Sequence, residues 1–457
     1  MRSRIVCISD VLTSQRLDVT FYNDGQFLHG FVPLSNYVSI YGGKRLPKGE
    51  TFSSEKTSYL YLRLTDIVDL DNIDYTKLPS ISETIFNTLK RYEIVEGEVS
   101  ISIAGTIGKV FITKKIPIGK RVILTENCAV IRPKIQSLLP VFLKLLLNCT
   151  FVQQQIKRNS IQTTIPKIGL DRIGKLRIPV IPPVHIQKNI IDIYTKAQET
   201  KQTKDEEAKS LLDNIDSFIL EVLGIASNQQ HEKKSLFSIT ISNLIGQRLD
   251  VSSYKEHFKM LSNKYPNRKL SSLVEIDPAI KYVGFNDDTT ISFIPMECID
   301  ERYGEISERR EISISQIKGY TKFEEGDLLW AKITPCMQNG KSAIARNLKN
   351  GVGCGSTEYY VIRPKTEDLL IDYVYLILRH SEVLKAAQGS FGGSAGQQRI
   401  SSQYMKSIVI PFPSKDIQQS IVDVVNERKQ RAKQLQIEGT VMHEKAKHEI
   451  EKMILGL

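Results

Sequence analysis

Apolar residues recur along this chain with two different periods, and each period predicts a different kind of element. Residues 99–104 read VSISIA and residues 328–333 read LLWAKI, and each run follows a Glu-Gly turn. Runs of this length, followed by a Gly-Lys turn and a second apolar run, indicate a strand–turn–strand unit. After Ile178-Pro179 and Ile410-Pro411 the period changes to about 3.6 residues, which predicts long helices.

The two predicted helices each carry one apolar stripe between charged flanks. The stripes consist of Ile186, Ile190, Ile193, Leu211, Ile215, Phe218 and Val222 in the first helix and Ile417, Ile421, Val424, Leu435 and Ile450 in the second. The prolines before each stripe suit a helix start, and each helix is predicted to run for about 40 residues. A long helix with one apolar face needs a partner, so we expect the two helices to pair antiparallel. The alternative is that each helix folds onto its own domain.

The chain repeats itself at an offset of about 230 residues. Gln15–Val19 (QRLDV) recurs as Gln247–Val251, and Tyr22 then matches Tyr254. Further matches in the same order are Gly108-Lys109 with Gly340-Lys341, Ile131–Lys134 with Ile362–Lys365, and Ile178-Pro179 with Ile410-Pro411. Landmarks that keep one order and one spacing predict a duplicated α+β unit.

The distribution of charge along the chain suggests a class of binding partner. The formal net charge is +11, and residues 101–180 hold fourteen Lys and Arg against two acids. A basic block suggests a polyanion such as double-stranded DNA, although a solvated basic face is an equal alternative. The sequence has no apolar run long enough to span a membrane and no export signal, and its six cysteines lack metal-ligand spacing, so a cytoplasmic protein is expected.

The sequence stretches that resemble enzymatic motifs are each incomplete. The ending Gly340-Lys341-Ser342 resembles a phosphate-binding loop, but Pro335 stands where the first glycine belongs. The glycines at 392, 393 and 396 do not form a dinucleotide-binding motif, the histidines are scattered, and Cys336 has no evident catalytic partner. No catalytic residue, metal site or cofactor is therefore predicted.

Basic and polar residues near the Gly-Lys turns and before the helices are the candidate DNA contacts. Lys109 and Lys341 are the first candidates for phosphate contacts, with Arg399 and Lys44 next. The full set is Lys44, Arg45, Lys48, Lys109, Lys114, Lys115, Lys120, Arg121, Thr163, Thr164, Lys167, Lys332, Gln338, Asn339, Lys341, Ser394, Gln397, Gln398 and Arg399.

Taken in order, these motifs resemble the DNA-specificity (S) subunit of type I restriction–modification systems over essentially the whole chain. The residues that carry the resemblance are Gly43–Gly49, Tyr61–Asp66, Ile103–Lys109, Ser292–Met296, Ala331–Lys341, Gly355–Glu358, Gly396–Ile400 and the proline-rich lead into each helix. The first copy departs from the second before its helix, where Thr163–Lys167 (TTIPK) replaces the GQQR sequence of Gly396–Arg399.

The resemblance implies two α/β target-recognition domains in a pseudo-two-fold repeat, joined by two long antiparallel helices. The expected division is 1–180 and 231–413 for the recognition domains, with 181–230 and 414–457 for the helices. It further implies a non-catalytic subunit that reads a bipartite, asymmetric DNA target and binds two methyltransferase subunits and the restriction subunits. The alternative is a fused DNA-processing enzyme, which would need a methyltransferase domain that the chain has no room for. Neither the target sequence nor its gap length can be read from these residues.

Overall fold

The computed structural model describes residues 30–67, 70, 73–160, 166–226, 259–392 and 398–456. Several sequence landmarks lie outside these ranges: the QRLDV motif in both copies, Tyr22, Tyr254, Thr163, Thr164, Ser394 and Gln397. The chain forms two compact units, residues 1–202 with 439–457 and residues 203–438. The boundary between the units therefore crosses both long helices.

The first copy of the repeat contains nine described strands and six helices, counted in the ranges above. The strands are β1 (Val32–Pro33), β2 (Val38–Gly42), β3 (Tyr59–Leu62), β4 (Glu93–Ile94), β5 (Val99–Ser102), β6 (Val110–Ile112), β7 (Arg121–Leu124), β8 (Cys128–Pro133) and β9 (Arg177–Ile178). The helices are α1 (Glu83–Leu89), α2 (Pro140–Asn148), α3 (Thr150–Asn159), α4 (Leu170–Gly174), α5 (Val184–Asp213) and α6 (Ile215–Val222).

In the residues that the structure describes, the second copy has a similar order, but it has no α-helix where the first copy has α1 and contains an additional strand there. Its strands are β10 (Asn267–Lys269), β11 (Val274–Ile276), β12 (Thr290–Ile294), β13 (Arg310–Ser313), β14 (Thr321–Glu324), β15 (Leu328–Ala331), β16 (Ser342–Ile344), β17 (Val352–Gly355), β18 (Tyr359–Pro364), β19 (Phe391–Gly392), β20 (Arg399–Ile400) and β21 (Val409–Pro411). Its helices are α7 (Leu270–Leu273), α8 (Ile371–Arg379), α9 (Ser381–Gln388), α10 (Ser402–Ser407) and α11 (Lys415–Leu455).

The sheets of the two copies have the same strand order, except that the second copy has one additional edge strand, β13. One antiparallel sheet has the order β2-β8-β5-β6 in the first copy and β11-β18-β15-β16 in the second. The other sheet has the order β3-β7-β4 in the first copy and β13-β12-β17-β14 in the second, with β3–β7 and β12–β17 paired parallel. The predicted duplicated α+β fold is thus confirmed, and so is the strand–turn–strand position of the two Gly-Lys pairs.

Each domain core is completed by the end of the helix that belongs to the other copy. In the first unit, Ile450 and Ile454 of α11 join the buried cluster around Ile190 and the helix α2. In the second unit, Ile219 and Leu223 join the cluster around α8 and α11. These two pairs are 231 residues apart, so the repeat extends to the packing of the helix ends.

The long helices pair antiparallel, as predicted, and the pairing is visible within each unit. In the second unit, Ala208 packs with Ala432 and Leu435, and further along Ile219 shares a core with Ile421. Residue numbers therefore increase along α5 and α6 in the direction in which they decrease along α11. The same holds in the first unit, where Ile190 shares one core with Ile450 and the ring of Tyr194 lies 6.1 Å from that of His443.

The predicted stripe residues take different positions in these helices. Most are buried or half-buried in the shared cores, but Ile186 is 36% exposed. Val424 is half-buried, whereas its neighbours Val422 and Val425 lie in the core. The apolar face of α11 is wider than one stripe because this helix packs against both a domain and a helix.

The helix prediction of about 40 residues holds for α11 but not for the first copy. Helix α11 has 41 residues, whereas the first helix is interrupted at Asn214, between α5 and α6. The Asn214 carbonyl accepts a hydrogen bond from Arg428 at 2.9 Å and a long one from the Phe218 amide at 3.3 Å. A side chain that competes for a helical carbonyl is a recognised cause of such breaks.

A buried glutamine fixes the start of each long helix. Neither glutamine was predicted as a structural residue from the sequence. The Gln187 side chain accepts from the Leu139 amide at 3.0 Å and donates to the carbonyls of Ser137 and Pro182, both at 2.8 Å. Gln418 makes the equivalent three hydrogen bonds to Leu370, Asp368 and Pro413. The available signal was the Ile-Gln pair that follows the prolines in both copies.

Candidate nucleic-acid interface

In the first unit, three chain segments meet beside the β5–β6 turn. The Ile103 amide donates to the Asn127 carbonyl at 2.8 Å, and the Ile168 amide donates to the Ile103 carbonyl at 3.0 Å. The Gly105 amide donates to the Pro166 carbonyl at 3.0 Å. The turn after β7, the β5–β6 turn and the segment before α4 therefore form one surface, which we call the first turn surface.

The loop between β2 and β3 joins this surface through a close backbone contact. The Lys44 amide donates to the Leu124 carbonyl at 3.0 Å, and the Tyr61 hydroxyl donates to the Lys44 carbonyl at 2.7 Å. A Cβ on Gly43 would lie 2.0 Å from the Thr125 carbonyl oxygen, so only glycine fits there.

Candidate cations cluster on the first turn surface. Lys44, Lys48, Lys109 and Lys167 belong to these segments and are exposed. Arg45 is also exposed but is paired, with its Nε donating to Glu126 at 2.8 Å. Burial opposes ionisation of the Glu126 carboxyl, but its hydrogen bonds, led by the one from Arg45, hold its pKa below the usual value.

Four other candidates lie away from the first turn surface or make internal bonds. Lys114 and Lys115 follow the far end of β6, next to the turn that precedes β5. The Lys120 ammonium donates to the Thr57 carbonyl at 2.6 Å. Arg121 makes two hydrogen bonds to Glu93 and stacks over Phe86 at 4.4 Å, which indicates a structural role.

The second unit has an equivalent second turn surface, formed by the β15–β16 turn and the segment around β20. The Lys332 amide donates to the Glu358 carbonyl at 2.9 Å, and the Ile400 amide donates to the Lys332 carbonyl at 3.0 Å. The Thr334 amide donates to the Gln398 carbonyl at 2.9 Å. Gln338 and Asn339 are exposed at the tip of the turn.

The cations of the second turn surface have internal partners. Arg399 makes a bidentate pair with Glu358, with its Nη2 at 2.7 Å, and this contact lowers the pKa of the Glu358 carboxyl. The Lys332 ammonium lies 5.2 Å from the centre of the Tyr360 ring. The Lys341 side chain is only 15% exposed and donates to the Met296 carbonyl at 3.3 Å.

Two sequence interpretations are decided by these contacts. No helix follows Lys341, because Ser342 begins the strand β16, so the region is not a phosphate-binding loop. The Thr-Glu sequence shared by Glu126 and Glu358 suggests that these two glutamates are counterparts, but the structure places them one residue out of register. The strand register makes Glu358 the counterpart of Asn127, since Ser102 pairs with Cys128 and Ala331 with Tyr359.

Cys336 has the environment of a structural thiol. It is half-buried in the β15–β16 turn, and burial raises its pKa above the usual thiol value. A raised pKa reduces the thiolate fraction and so disfavours a nucleophile.

Two segments of this chain match one family model, described as the type I restriction modification DNA specificity domain, at residues 35–211 and 263–436. Each match covers one copy of the repeat with most of its long helix. The chain belongs to this family.

Two curated relatives are specificity subunits of type I restriction enzymes from Escherichia coli. The chain is 38% identical over 154 residues to the EcoEI specificity subunit and 37% identical over 158 residues to the EcoAI specificity subunit. Each match covers 34% of this chain and 26% of the relative, so the chain spans about a quarter of the length of these relatives.

A solved chain from a structural study of complex assembly in the type I R-M system has the same fold. It aligns with 93% of this chain and 96% of its own length, at 14% identity and a TM-score of 0.56. None of the helices in the described ranges is both long and apolar enough to cross a membrane.

Proposed function

We propose that this chain is the DNA-specificity subunit of a type I restriction–modification complex and that it reads a bipartite, asymmetric DNA target. Each copy of the repeat acts as a target-recognition domain for one half of the target. Residues 1–180 and 231–413 are the two readers, and residues 181–230 and 414–457 are the helices between them. The observation that carries the proposal is the duplication, because each family match lies within one copy of the fold and covers most of it.

The two turn surfaces are the proposed DNA-binding surfaces. The first has four exposed lysines from three adjacent segments, which suits contacts to phosphates. The second offers Gln338 and Asn339 at an exposed tip, and amide side chains are able to read base edges. The two surfaces share a framework but differ in side chains, so each should read a different half-sequence.

The proposed partners are double-stranded DNA, two methyltransferase subunits and the restriction subunits. The long helices are the proposed docking elements for the methyltransferase subunits. The chain itself is proposed to be non-catalytic, with no cofactor of its own. Methyl transfer to DNA by the purified chain with S-adenosylmethionine alone would contradict this assignment.

The direct test is methylome sequencing of cells with and without the gene for this chain, with the methyltransferase gene present in both. The expected result is one methylated motif of two unlike halves and a fixed gap, found only with the gene. A motif that persists without the gene, or an uninterrupted motif, would overturn the proposal.

A further inference from the structure

The second recognition domain is bound to the helix pair through a turn at residues 299–306. The turn is closed by the Ile299–Ile306 bridge, and the Asp300 amide donates to the Glu305 carbonyl at 2.9 Å. Gly304 has φ +65° and lies against α8, where an added Cβ would be 1.2 Å from the Arg379 guanidinium. The turn therefore holds one fixed conformation against its own domain.

Tyr303 projects from this turn into the seam between the long helices. Its ring packs on the cluster formed by Ala208, Ala432 and Leu435, which is where α5 and α11 meet. The Lys433 ammonium lies 4.8 Å from the centre of the ring, within the range of a cation–π contact. The ring thus contacts both helices as well as its own domain.

Polar contacts fix the position of Tyr303 on α11. With the Gln436 amide oriented so that its oxygen accepts from Arg302, its nitrogen donates to the Tyr303 hydroxyl at 2.7 Å. The Tyr303 carbonyl accepts from the Lys429 ammonium and from the Tyr375 hydroxyl, each at 3.0 Å. Lys433 also pairs with Glu305 of the same turn.

The sequence of the first copy differs at the position of this turn. Its strand β3 is followed by a 3-10 turn at Leu64–Asp66, as β12 is followed by one at Met296–Cys298. The next residues are Ile67–Ile73 (IVDLDNI) in the first copy and Ile299–Ile306 (IDERYGEI) in the second. The first of these stretches contains no aromatic residue.

We propose that Tyr303 is a positioning residue that holds the second recognition domain at one orientation on the helix pair and so restricts the target to one gap length. This inference rests on the proposed function. Changing the gap by one base pair moves a half-site by about 3.4 Å and rotates it by about 35°. A domain held rigidly on its helices does not follow this movement, whereas a domain without the Tyr303 contacts does.

The test compares methylation at targets that differ only in gap length. The full chain, co-expressed with its methyltransferase subunits, is given a plasmid library that carries both half-sites at gaps from two base pairs below to two above the cognate one. The variants are Tyr303→Ala, Tyr303→Leu and Gln436→Ala. Val352→Ala is the matched control, since Val352 is buried in a core cluster of the same domain that contains no residue of the 299–306 turn or of the long helices.

Wild type should methylate one gap length. Tyr303→Ala should raise methylation at the neighbouring gaps, relative to the cognate one, by about tenfold, because a cation–π contact and a hydrogen bond are lost together. Gln436→Ala should have a smaller effect in the same direction. Val352→Ala should lower the melting temperature and leave the gap preference unchanged. If Tyr303→Ala is insoluble, Tyr303→Leu retains apolar volume and carries the same expectation.

An unchanged gap preference in the Tyr303 and Gln436 variants, with a lowered melting temperature, would overturn the inference and leave Tyr303 a purely structural residue. A wild-type chain that directs no methylation to a two-part target would overturn the proposed function, and the inference with it. The two failures are thus distinguished by the wild-type sample.

Discussion

Lys109 and Lys341 are equivalent residues, each one position before the second strand of a hairpin, yet their side chains have different surroundings. Lys109 is exposed on the first turn surface. Lys341 is 15% exposed and donates to the Met296 carbonyl. An ammonium that already has a protein partner must lose it before it binds a phosphate, so the two lysines should contribute unequally to DNA binding.

Lys109→Ala should weaken binding to target and non-target DNA to the same extent. Loss of one phosphate contact should reduce the slope of log K against log salt by about 0.9. Lys341→Ala should change this slope less. Fluorescence anisotropy over a salt series measures both slopes. A change in the preferred sequence with Lys109→Ala would instead identify Lys109 as a base reader.

The sequence showed which residues are charged but not which of them are paired. Arg45 meets Glu126, Arg121 meets Glu93 and Arg399 meets Glu358, and each partner is at least 28 residues away. Such pairs depend on the strand register and on the loop paths, neither of which has a local sequence signal. The clustering of Lys44, Lys109 and Lys167 was predictable only in part, for the same reason.

Gln418→Ala should destabilise the second unit by roughly 1–3 kcal/mol, since it leaves buried amide and carbonyl groups without partners. Trp330, the sole tryptophan of the sequence, is buried in the same core, so its fluorescence reports urea unfolding of this unit. Gln419→Ala is the matched control, because Gln419 is exposed and its side chain donates to Asp423 on the same helix. Equal unfolding midpoints for the two variants would show that Gln418 does not fix the helix start.

At the scale of elements, the periodicity of apolar residues predicted the hairpins and the long helices. Burial explains why it did not predict the environment of every strand residue. All four residues of β5 are buried, including Ser100 and Ser102, because helices and a second sheet cover both faces of its sheet. The alternating sequence alone would have left the serines exposed. The interruption at Asn214 was not predictable either, and the Arg428 guanidinium that bonds to its carbonyl belongs to another helix.

Inserting one heptad into both long helices should lengthen the gap of the DNA target. Insertions after Gln202 and after Glu438 fall at the boundary between the two units, so the contacts within each unit are kept. Seven residues add about 10.5 Å of helix, which corresponds to about three base pairs. Methylome sequencing should show both half-sequences unchanged and a longer gap. An unaltered gap would mean that the helices do not set the spacing.

At the scale of the whole molecule, the two copies exchange helix ends. Ile450 and Ile454 complete the first core, and Ile219 and Leu223 complete the second. The exchange includes helix caps: Glu451 accepts from the Phe151 amide at 3.2 Å, and Asp216 accepts from the Ser381 amide at 2.9 Å. The repeat could be predicted from the sequence, but these contacts could not, because they join residues 165 or 300 positions apart.

The exchange implies that the first copy could pair with itself. A chain of residues 1–229 carries Ile219 and Leu223, the counterparts of the missing Ile450 and Ile454. A second such chain could supply these side chains to the first core in a two-fold arrangement. Asp216 of the second chain would replace the cap from Glu451, because Thr150 at the start of α3 is the counterpart of Ser381, which Asp216 caps in the full chain. We therefore expect a dimer.

Methylation mapping of this truncated chain tests most directly whether each copy is an independent reader held by paired helices. The chain of residues 1–229 is co-expressed with its methyltransferase subunits, and its size is measured by gel filtration. The account predicts a dimer and an interrupted palindrome built from one half of the full-length target. A soluble monomer that supports no methylation, or a dimer that methylates an asymmetric sequence, would contradict it.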